Sequence, residues 1–569
     1  MRILGISEFD NDAAAALLID GKIIAAASEE RFSRIKQHAG FPYKAIRWIL
    51  EYAKLNLDDI DLIAIGKQPA SIEVKNYIGA IKSFPWFHYE APLKRKLLDF
   101  GIWFGRNIPK YYLYVHKQEK ELKEWLKSNN IQQSKVRYTI HHEAHAATAY
   151  YFSGWDEALV ITCDGQGLGE TATAWAGKDG KLEKINSVKL PNSIGNFYGS
   201  VTKAIGFKPN RHEGKITGLA AYAPPSNEVD AFCQSISFFK DGSIHAPYIY
   251  GSFPEIRALI KKVGREAVAA SFQKRLEEVV VQYIKYYLKK YSNKKVVLAG
   301  GVFANVKLNQ RIAEIQEVEE VFIFPAMSDA GLAVGAAILQ EENKIPKKLM
   351  DVYFGPDYSE KEIRAELEKN NVEYQKPKNL VTEVADKLAD GRVVAIFQGR
   401  MEYGPRALGN RTVMYETVDP KVNDWLNKSL ARSEFMPFAP VTLEKHAEEC
   451  YVGIDKGRYT AKFMTMTFDC TDYMKKTSPA VVHVDGTARP QLIDRKTNQS
   501  YYDILNNYHA LSGIPSLVNT SFNMHEEPIV CSPYDAIRAY NLGKLDYLAL
   551  GPFILENKNG ITFQRERKK

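Results

Sequence analysis

The sequence predicts an α/β protein in two parts, the first built on a duplicated strand-turn-strand unit. Three observations carry this. Strands ending in glycine-bearing turns recur in one order near residues 1–30 and 157–189, strand-glycine-helix units follow over 294–342, and a second such series starts near residue 379 after a stretch of weak periodicity. A chain of 569 residues is also longer than one hydrophobic core usually grows.

The opening reads MRILGISEF, then AAAALLID, Gly21 and KIIAAASEE, apolar runs broken by an Asp-Gly hairpin signal. FPYKAIRWILEYA has helical spacing, and DLIAIGK returns as a strand. The order repeats at EALVITCDGQGLG, ETATAWAGKDG and KLEKINSVK, which places Asp12 and Asp164 near equivalent turns, facing each other across a cleft if the copies pack pseudosymmetrically. KKVVLAGGVFANVKLNQRIAE and VEEVFIFPAMSDAGLAVGAAILQEE are then two strand-to-helix units, whose helix N-termini suit phosphate.

Residues 1–345 are therefore expected as one large metal- and nucleotide-handling domain, 346–378 as a surface linker, and 379–569 as a second α/β domain. In the second part, strands are expected at RYTAKFMTMTF and SPAVVHVDG, before the helix-strand pair YDILNNYHALSGIPSLVNTSF.

Hydrophobic residues make up 45% and charged residues 25%, values that exclude a disordered chain. Apolar runs such as GLAVGAAIL are far too short to span a bilayer, and the N-terminus lacks a signal-type apolar stretch, so a cytoplasmic protein is expected. The five cysteines stand far apart without CxxC spacing, which argues against both a disulfide framework and a thiolate zinc site. The net charge of +8 clusters on helical patterns as solvated faces, and no nucleic-acid motif accompanies it. Long apolar helices leave room for a homodimer, though no heptad seam marks one.

The sharpest local signal is HHEAHAATAY. On a helix, His141 and His145 stack two imidazoles on one face, within reach of one metal. The pair His142 and His145 is a weaker alternative. Asp164 ends a strand at a glycine-rich turn and Asp329 precedes an apolar helix; with the two histidines they form a donor set suited to iron, manganese or zinc better than to magnesium. Helix histidines satisfied by ordinary carboxylates would leave the same pattern.

Gly300 and Gly301 offer a turn where a nucleotide can lie against the backbone, with Asn305 following in the same motif, and Lys215 beside Gly214 could balance phosphate charge. No GxxxxGK[ST] sequence occurs, so ordinary P-loop chemistry is not expected. In the second part Arg400, Arg406, Arg411, Arg432 and Arg489 mostly lie near glycine, proline or asparagine, and converging guanidinium forks bind phosphate. VNTSFN adds Asn519 and Asn523, neutral groups suited to a urea-like oxygen and amine.

SEERFSRIKQHAGFP, HHEAHAA, DGQGLGET, EGKITGLAAY, GGVFANVKLN, SDAGLAVGAA, GRMEYGPRALGNR, HVDGTARPQ and NTSFN with EPIV stand in the order found in the O-carbamoyltransferases of antibiotic and nodulation-factor biosynthesis, which the chain resembles over nearly its whole length. The resemblance implies a duplicated actin-like domain, similar to the tRNA threonylcarbamoyladenosine synthase superfamily, followed by a smaller YrdC-like domain. It implies that carbamoyl phosphate and ATP, with Mg2+ as an optional companion, form carbamoyladenylate in the second domain. The first domain would transfer carbamoyl to a small-molecule hydroxyl. It also implies a divalent ion, iron in relatives, on His141, His145, Asp164 and Asp329. Arg406 and Arg489 would clamp carbamoyl phosphate, with Asp12 as a further catalytic candidate.

Two positions depart from the family pattern. Asn11 stands where a histidine is usual before Asp12, and Ala431 where a lysine is usual, leaving Lys428 or Arg432 to supply charge there. A kinase or ATPase of the sugar-kinase and actin superfamily, or a catalytically degenerate nucleotide-binding or tRNA-modification partner, are the competing readings.

Overall fold

The computed structural model describes residues 1–8, 12–81, 112–113, 115–247, 252–430 and 438–558. Asn11, Ala431 and Arg432 lie outside the described residues. Contacts divide the chain into one unit of Met1–Ala26 with Ala39–Leu349 and a second of Ala27–His38 with Met350–Lys569.

The first unit is organised on two five-stranded sheets. One holds β1 (Arg2–Ser7), β2 (Ala14–Ile19), β3 (Lys22–Ser28), β4 (Leu62–Ile65) and β5 (Val136–Tyr138) in the order β3-β2-β1-β4-β5. The other holds β6 (Glu157–Gly167), β7 (Glu170–Lys178), β8 (Lys181–Lys189), β11 (Lys295–Ala299) and β12 (Glu320–Ile323), with the small hairpin β9 (Phe238–Lys240) and β10 (Ser243–His245) between β8 and β11 in sequence. Its order is β12-β11-β6-β7-β8, so the same arrangement of strands occurs twice: a hairpin whose first strand runs antiparallel to the leading strand, and two parallel strands on the other side of that leading strand. Both Asp-Gly turns, Asp20-Gly21 and Asp179-Gly180, have positive φ at each residue, the twist that closes tight hairpins.

The register refines the comparison of the two turns. The last ladder pair is Ser7 with Ala14 in the first sheet and Cys163 with Ala172 before the bulge in the second. Ser7 and Cys163 are thus equivalent, and the residue matching Asp164 is Glu8 rather than Asp12. Asp12 lies just before β2, near the turn equivalent to that of Asp164.

Between these sheets' strands run the helices His141–Tyr151 and Gly331–Leu339, almost entirely buried and packed on one another. Gly335 makes the close approach feasible, since a Cβ there would stand 2.0 Å from the Ala144 carbonyl oxygen.

The second unit centres on a seven-stranded sheet. Its strands are β13 (Val394–Phe397), β14 (Arg411–Tyr415), β15 (Ala439–Leu443), β18 (Gln491–Ile493), β19 (Ser516–Ser521), β20 (Tyr547–Leu550) and β21 (Phe553–Glu556); β16 (Phe468–Asp469) pairs separately with β17 (Thr487–Ala488). The large sheet runs β18-β15-β19-β14-β13-β20-β21. Helices Leu380–Ala389 and Gln499–Ser512 pack together over it, burying Leu388, Ile396, Met414, Leu505 and Tyr508 in one core.

Residues 350–378 differ from the surface linker expected there. They group with the second unit and include the helix Glu360–Lys369, capped by the Ser359 and Glu362 box, with Ile363 and Leu367 buried. The strands expected at RYTAKFMTMTF and SPAVVHVDG are mostly replaced by turns, irregular backbone and the short helices Arg458–Ala461 and Pro479–Val481. Thr460 and Thr465 bond side chain to side chain at 2.7 Å, Thr465 also donates to the Thr460 carbonyl at 3.0 Å, and Met464 takes a positive φ. Such local bonds compete with a ladder. All five cysteines are buried and unpaired with one another, and no described helix is long and apolar enough to cross a membrane.

Candidate metal centre and anion site

The helix His141–Tyr151 begins with its first turn buried, so His141 and His145, one turn apart, project from one face into protein rather than solvent. Asp164 comes from the end of β6 at the bulge, and Asp329 from the turn before helix Gly331–Leu339. The four ligand atoms all lie within 4.8 Å of one another. His145 Nε2 is 3.3 Å from Asp164 Oδ2 and 3.5 Å from Asp329 Oδ1, and His141 Nε2 is 3.6 and 3.8 Å from the same atoms.

These residues fit a divalent ion. Donors about 2.1 Å from a shared tetrahedral metal stand about 3.4 Å apart, close to the separations found. His145 Nε2 and Asp164 Oδ2 are buried and complete no hydrogen bond, whereas Asp164 Oδ1 accepts from the Gly165 N–H at 2.8 Å. One carboxylate oxygen is anchored and the other points at the imidazoles. Burial works to lower the His145 pKa, but Asp164 and Asp329 prevail and raise it to about 9. Burial would raise Asp164, yet His141 and His145 hold it well below the usual carboxylate range. Mixed imidazole and carboxylate donors suit iron, manganese or zinc.

Neighbours fix the set. Ser7 Oγ donates to the Asp329 carbonyl at 2.8 Å, tying the end of β1 to that ligand. His142, held well below its usual pKa by burial and by its histidine neighbours, bonds through Nδ1 to Thr162 Oγ1 at 2.7 Å. It buttresses the helix against β6 and takes no place in the donor set. A Cβ on Gly167 would meet His141 Cδ2 at 2.1 Å, so the ring lies flush on that glycine.

Of the nucleotide-side candidates, Gly301 sits against Asp164, its built Cβ 3.1 Å from Oδ1, and Gly300 against the Cys163 carbonyl. Asn305 caps the helix Val306–Ala313 by accepting from the Leu308 N–H at 3.0 Å and exchanges amide hydrogen bonds with Gln273. Lys215 is buried in the helix Glu213–Leu219, its Nζ 5.6 Å from the centre of the Phe207 ring. Asp12 is half-buried just before β2.

In the second unit the arginines divide. Arg411 is fully buried and spends its guanidinium on the carbonyls of Gln398, Gly399, Asn410 and Pro356, over the Phe397 ring. Arg400 donates to the carbonyls of Phe354 and Gly355. Both are structural. Arg406 and Arg489, by contrast, have no carboxylate partner among the described residues. Burial pushes Arg406 down to about 10, and burial together with the Arg406 charge drives Arg489 well below the usual arginine range. Two neighbouring like charges with no carboxylate partner among the described residues are suited electrostatically to an anion.

Asn519 Nδ2 donates to Gln491 Oε1 at 2.7 Å and to the Ala407 carbonyl at 3.1 Å, while its buried Oδ1 accepts nothing. Gln491 Nε2 donates in turn to the Leu408 carbonyl at 2.8 Å, which fixes both amide orientations. Asn523 donates to the Met524 and Glu527 carbonyls and accepts from Ser521, holding its own loop. Glu402, Gln491 and Ser7 were not singled out by sequence reasoning; for Glu402 the signal was its place inside GRMEYGPRALGNR.

Comparison with known proteins gives a consistent pattern. The model of the carbamoyltransferase N-terminus matches residues 2–338 and that of the carbamoyltransferase C-terminus residues 385–557. An uncharacterized protein of Synechocystis sp. is 32% identical, with 97% of this chain and 96% of that protein covered. Nodulation protein NolNO of Sinorhizobium fredii is 30% identical, over 97% of this chain and 79% of that protein. Nodulation protein NolO of Bradyrhizobium diazoefficiens is 33% identical, over 74% and 79%.

Proposed function

The chain belongs to the carbamoyltransferase family and is an ATP-dependent carbamoyltransferase; from that premise we propose that it works in two stages, one in each unit. In the second unit, water cleaves carbamoyl phosphate to carbamate and phosphate. A carbamate oxygen then attacks the α-phosphorus of ATP, pyrophosphate leaves, and carbamoyladenylate results. In the first unit an acceptor hydroxyl adds to the carbamoyl carbon and AMP departs. The first unit is read as a duplicated actin-like domain, supported by its twice-used strand order, and the second as YrdC-like.

The observation that carries this reading is the unneutralised pair Arg406 and Arg489. Two forks without carboxylate partners among the described residues suit phosphate oxygens, and the buried Asn519 Oδ1, which accepts no hydrogen bond there, suits an amine hydrogen of the carbamoyl group. His141, His145, Asp164 and Asp329 would hold a divalent ion, iron among the candidates, which supplies Lewis acidity toward the adenylate oxygens. Lys215 and the Gly300-Gly301 turn are read as the nucleotide side of that unit. The acid anhydride with AMP matters because nitrogen donation makes a carbamoyl carbon a poor electrophile, and AMP is a good leaving group.

Incubation with ATP, carbamoyl phosphate and Fe(II), followed by mass spectrometry, tests the scheme. Carbamoyladenylate and pyrophosphate are expected. Release of ADP instead would establish the kinase reading, and absence of both expected products from folded, metal-loaded protein would remove the carbamoyladenylate route.

A further inference from the structure

Resting on the anion-clamp reading, we propose that Glu402 is a positioning residue for Arg406, fixing the loop that presents this guanidinium to the phosphate of the substrate. Glu402 is 3% exposed. Its Oε1 accepts from the N–H groups of Leu408 at 2.8 Å, Asn410 at 2.8 Å and Arg411 at 3.2 Å. Three donors from the far end of the loop meet one oxygen at its start, so residues 402–411 are drawn into a closed turn with Arg406 near the middle.

A second hold acts from outside. Arg31 is 5% exposed and donates through Nη2 to the Gly404 carbonyl at 2.8 Å, two residues before Arg406. Phe32 packs against Met401, Ala407, Ile529 and Cys531, so the loop is gripped at its start and just beyond Arg406. The hydrogen bonds of both holds involve charged side chains in buried surroundings, where they are strong.

Charge placement agrees with this division. Against burial, the Glu402 charge acts to stabilise the Arg411 cation, and Arg411 gives both Nη groups to carbonyls. Glu402 exerts no comparable effect on Arg406, whose only perturbation is burial. The carboxylate therefore shapes the loop without neutralising the group that must meet an anion. A guanidinium already held in place loses less freedom on binding, so affinity depends on the residue that holds it.

Calorimetric titration of the full chain with inorganic phosphate, alongside carbamoyl phosphate kinetics by pyrophosphate release, tests the assignment. Wild type is expected to bind phosphate and Arg406→Ala to lose binding. Glu402→Gln, which keeps one acceptor oxygen, should weaken phosphate about tenfold and raise the carbamoyl phosphate KM by a similar factor, with kcat changed less and the melting temperature within a few degrees. Glu402→Ala should be worse than Glu402→Gln. Wild-type affinity in a folded Glu402→Gln variant would overturn the proposal. Should neither Glu402 variant fold, Arg31→Met decides: weakened phosphate binding supports the held loop, and unchanged binding overturns it. A wild type that binds no phosphate would instead fail the clamp reading itself.

Discussion

His145 Nε2 stands 3.3 Å from Asp164 Oδ2, and neither buried atom completes a hydrogen bond. Such atoms are costly unless something else satisfies them. Replacing His145 or Asp329 by alanine should therefore lower divalent-metal affinity by at least about a hundredfold, more than loss of a supporting contact. Metal content by elemental analysis checks this. Asp329→Ala should still form carbamoyladenylate while transfer to the acceptor stops; equal loss of both half-reactions would contradict the division of labour.

Arg489→Ala should reverse that pattern. Pyrophosphate release is expected to fall by at least about a hundredfold while metal content holds, because a charge aimed at the anion is removed. Arg489→Lys should recover only part of the rate, since an ammonium lacks the planar fork.

Gly167→Ala makes a narrower prediction. The added methyl would meet His141 Cδ2 at 2.1 Å and Cγ at 2.3 Å, so the ring must move. Metal affinity should drop about tenfold or more with secondary structure retained, because ligand rings tolerate little displacement. Titration with Fe(II) or Zn(II), monitored beside circular dichroism, measures it.

The pair Lys462 and Asp494 sets a pH dependence in the second unit. Burial would raise Asp494, but Lys462 outweighs it and the carboxylate is held below its ordinary 3.8; Lys462, against its own burial, is held above its ordinary range, with Glu444 3.1 Å away. A depressed carboxylate stabilises above its unfolded pKa and loses that contribution as pH falls below 3.8 toward the folded value. Asp494→Asn should cost about 1 kcal/mol at neutral pH. The difference in melting temperature from wild type should shrink steadily as the buffer is taken below that pKa.

The convergence of the four candidate ligands was legible from residues alone because helical spacing fixes which side chains share a face, and both aspartates stood at strand or helix ends. His141, His145, Asp164 and Asp329 duly converge. The arginines were less legible. Turn-like context fits Arg406 and Arg411 alike, and only three-dimensional placement shows one giving both Nη groups to carbonyls and the other without a carboxylate among the described residues. Register was hidden too, since only the ladder shows that Glu8 follows Ser7 as Asp164 follows Cys163. The helix Glu360–Lys369 escaped notice because its two buried residues, Ile363 and Leu367, form a very short apolar stripe.

The chain leaves its first unit at residue 27, returns at 39 and leaves again at 350. No single cut can therefore release either half intact. A fragment starting at Met350 would lack Arg31, Arg34 and Phe32, leaving the Gly404, Pro528 and Ile529 carbonyls without those donors, and a fragment ending at Leu349 would carry Phe32 with no partner surface. Chimaeras that exchange one half between relatives must carry residues 27–38 along with the C-terminal portion, or inherit a mismatched graft.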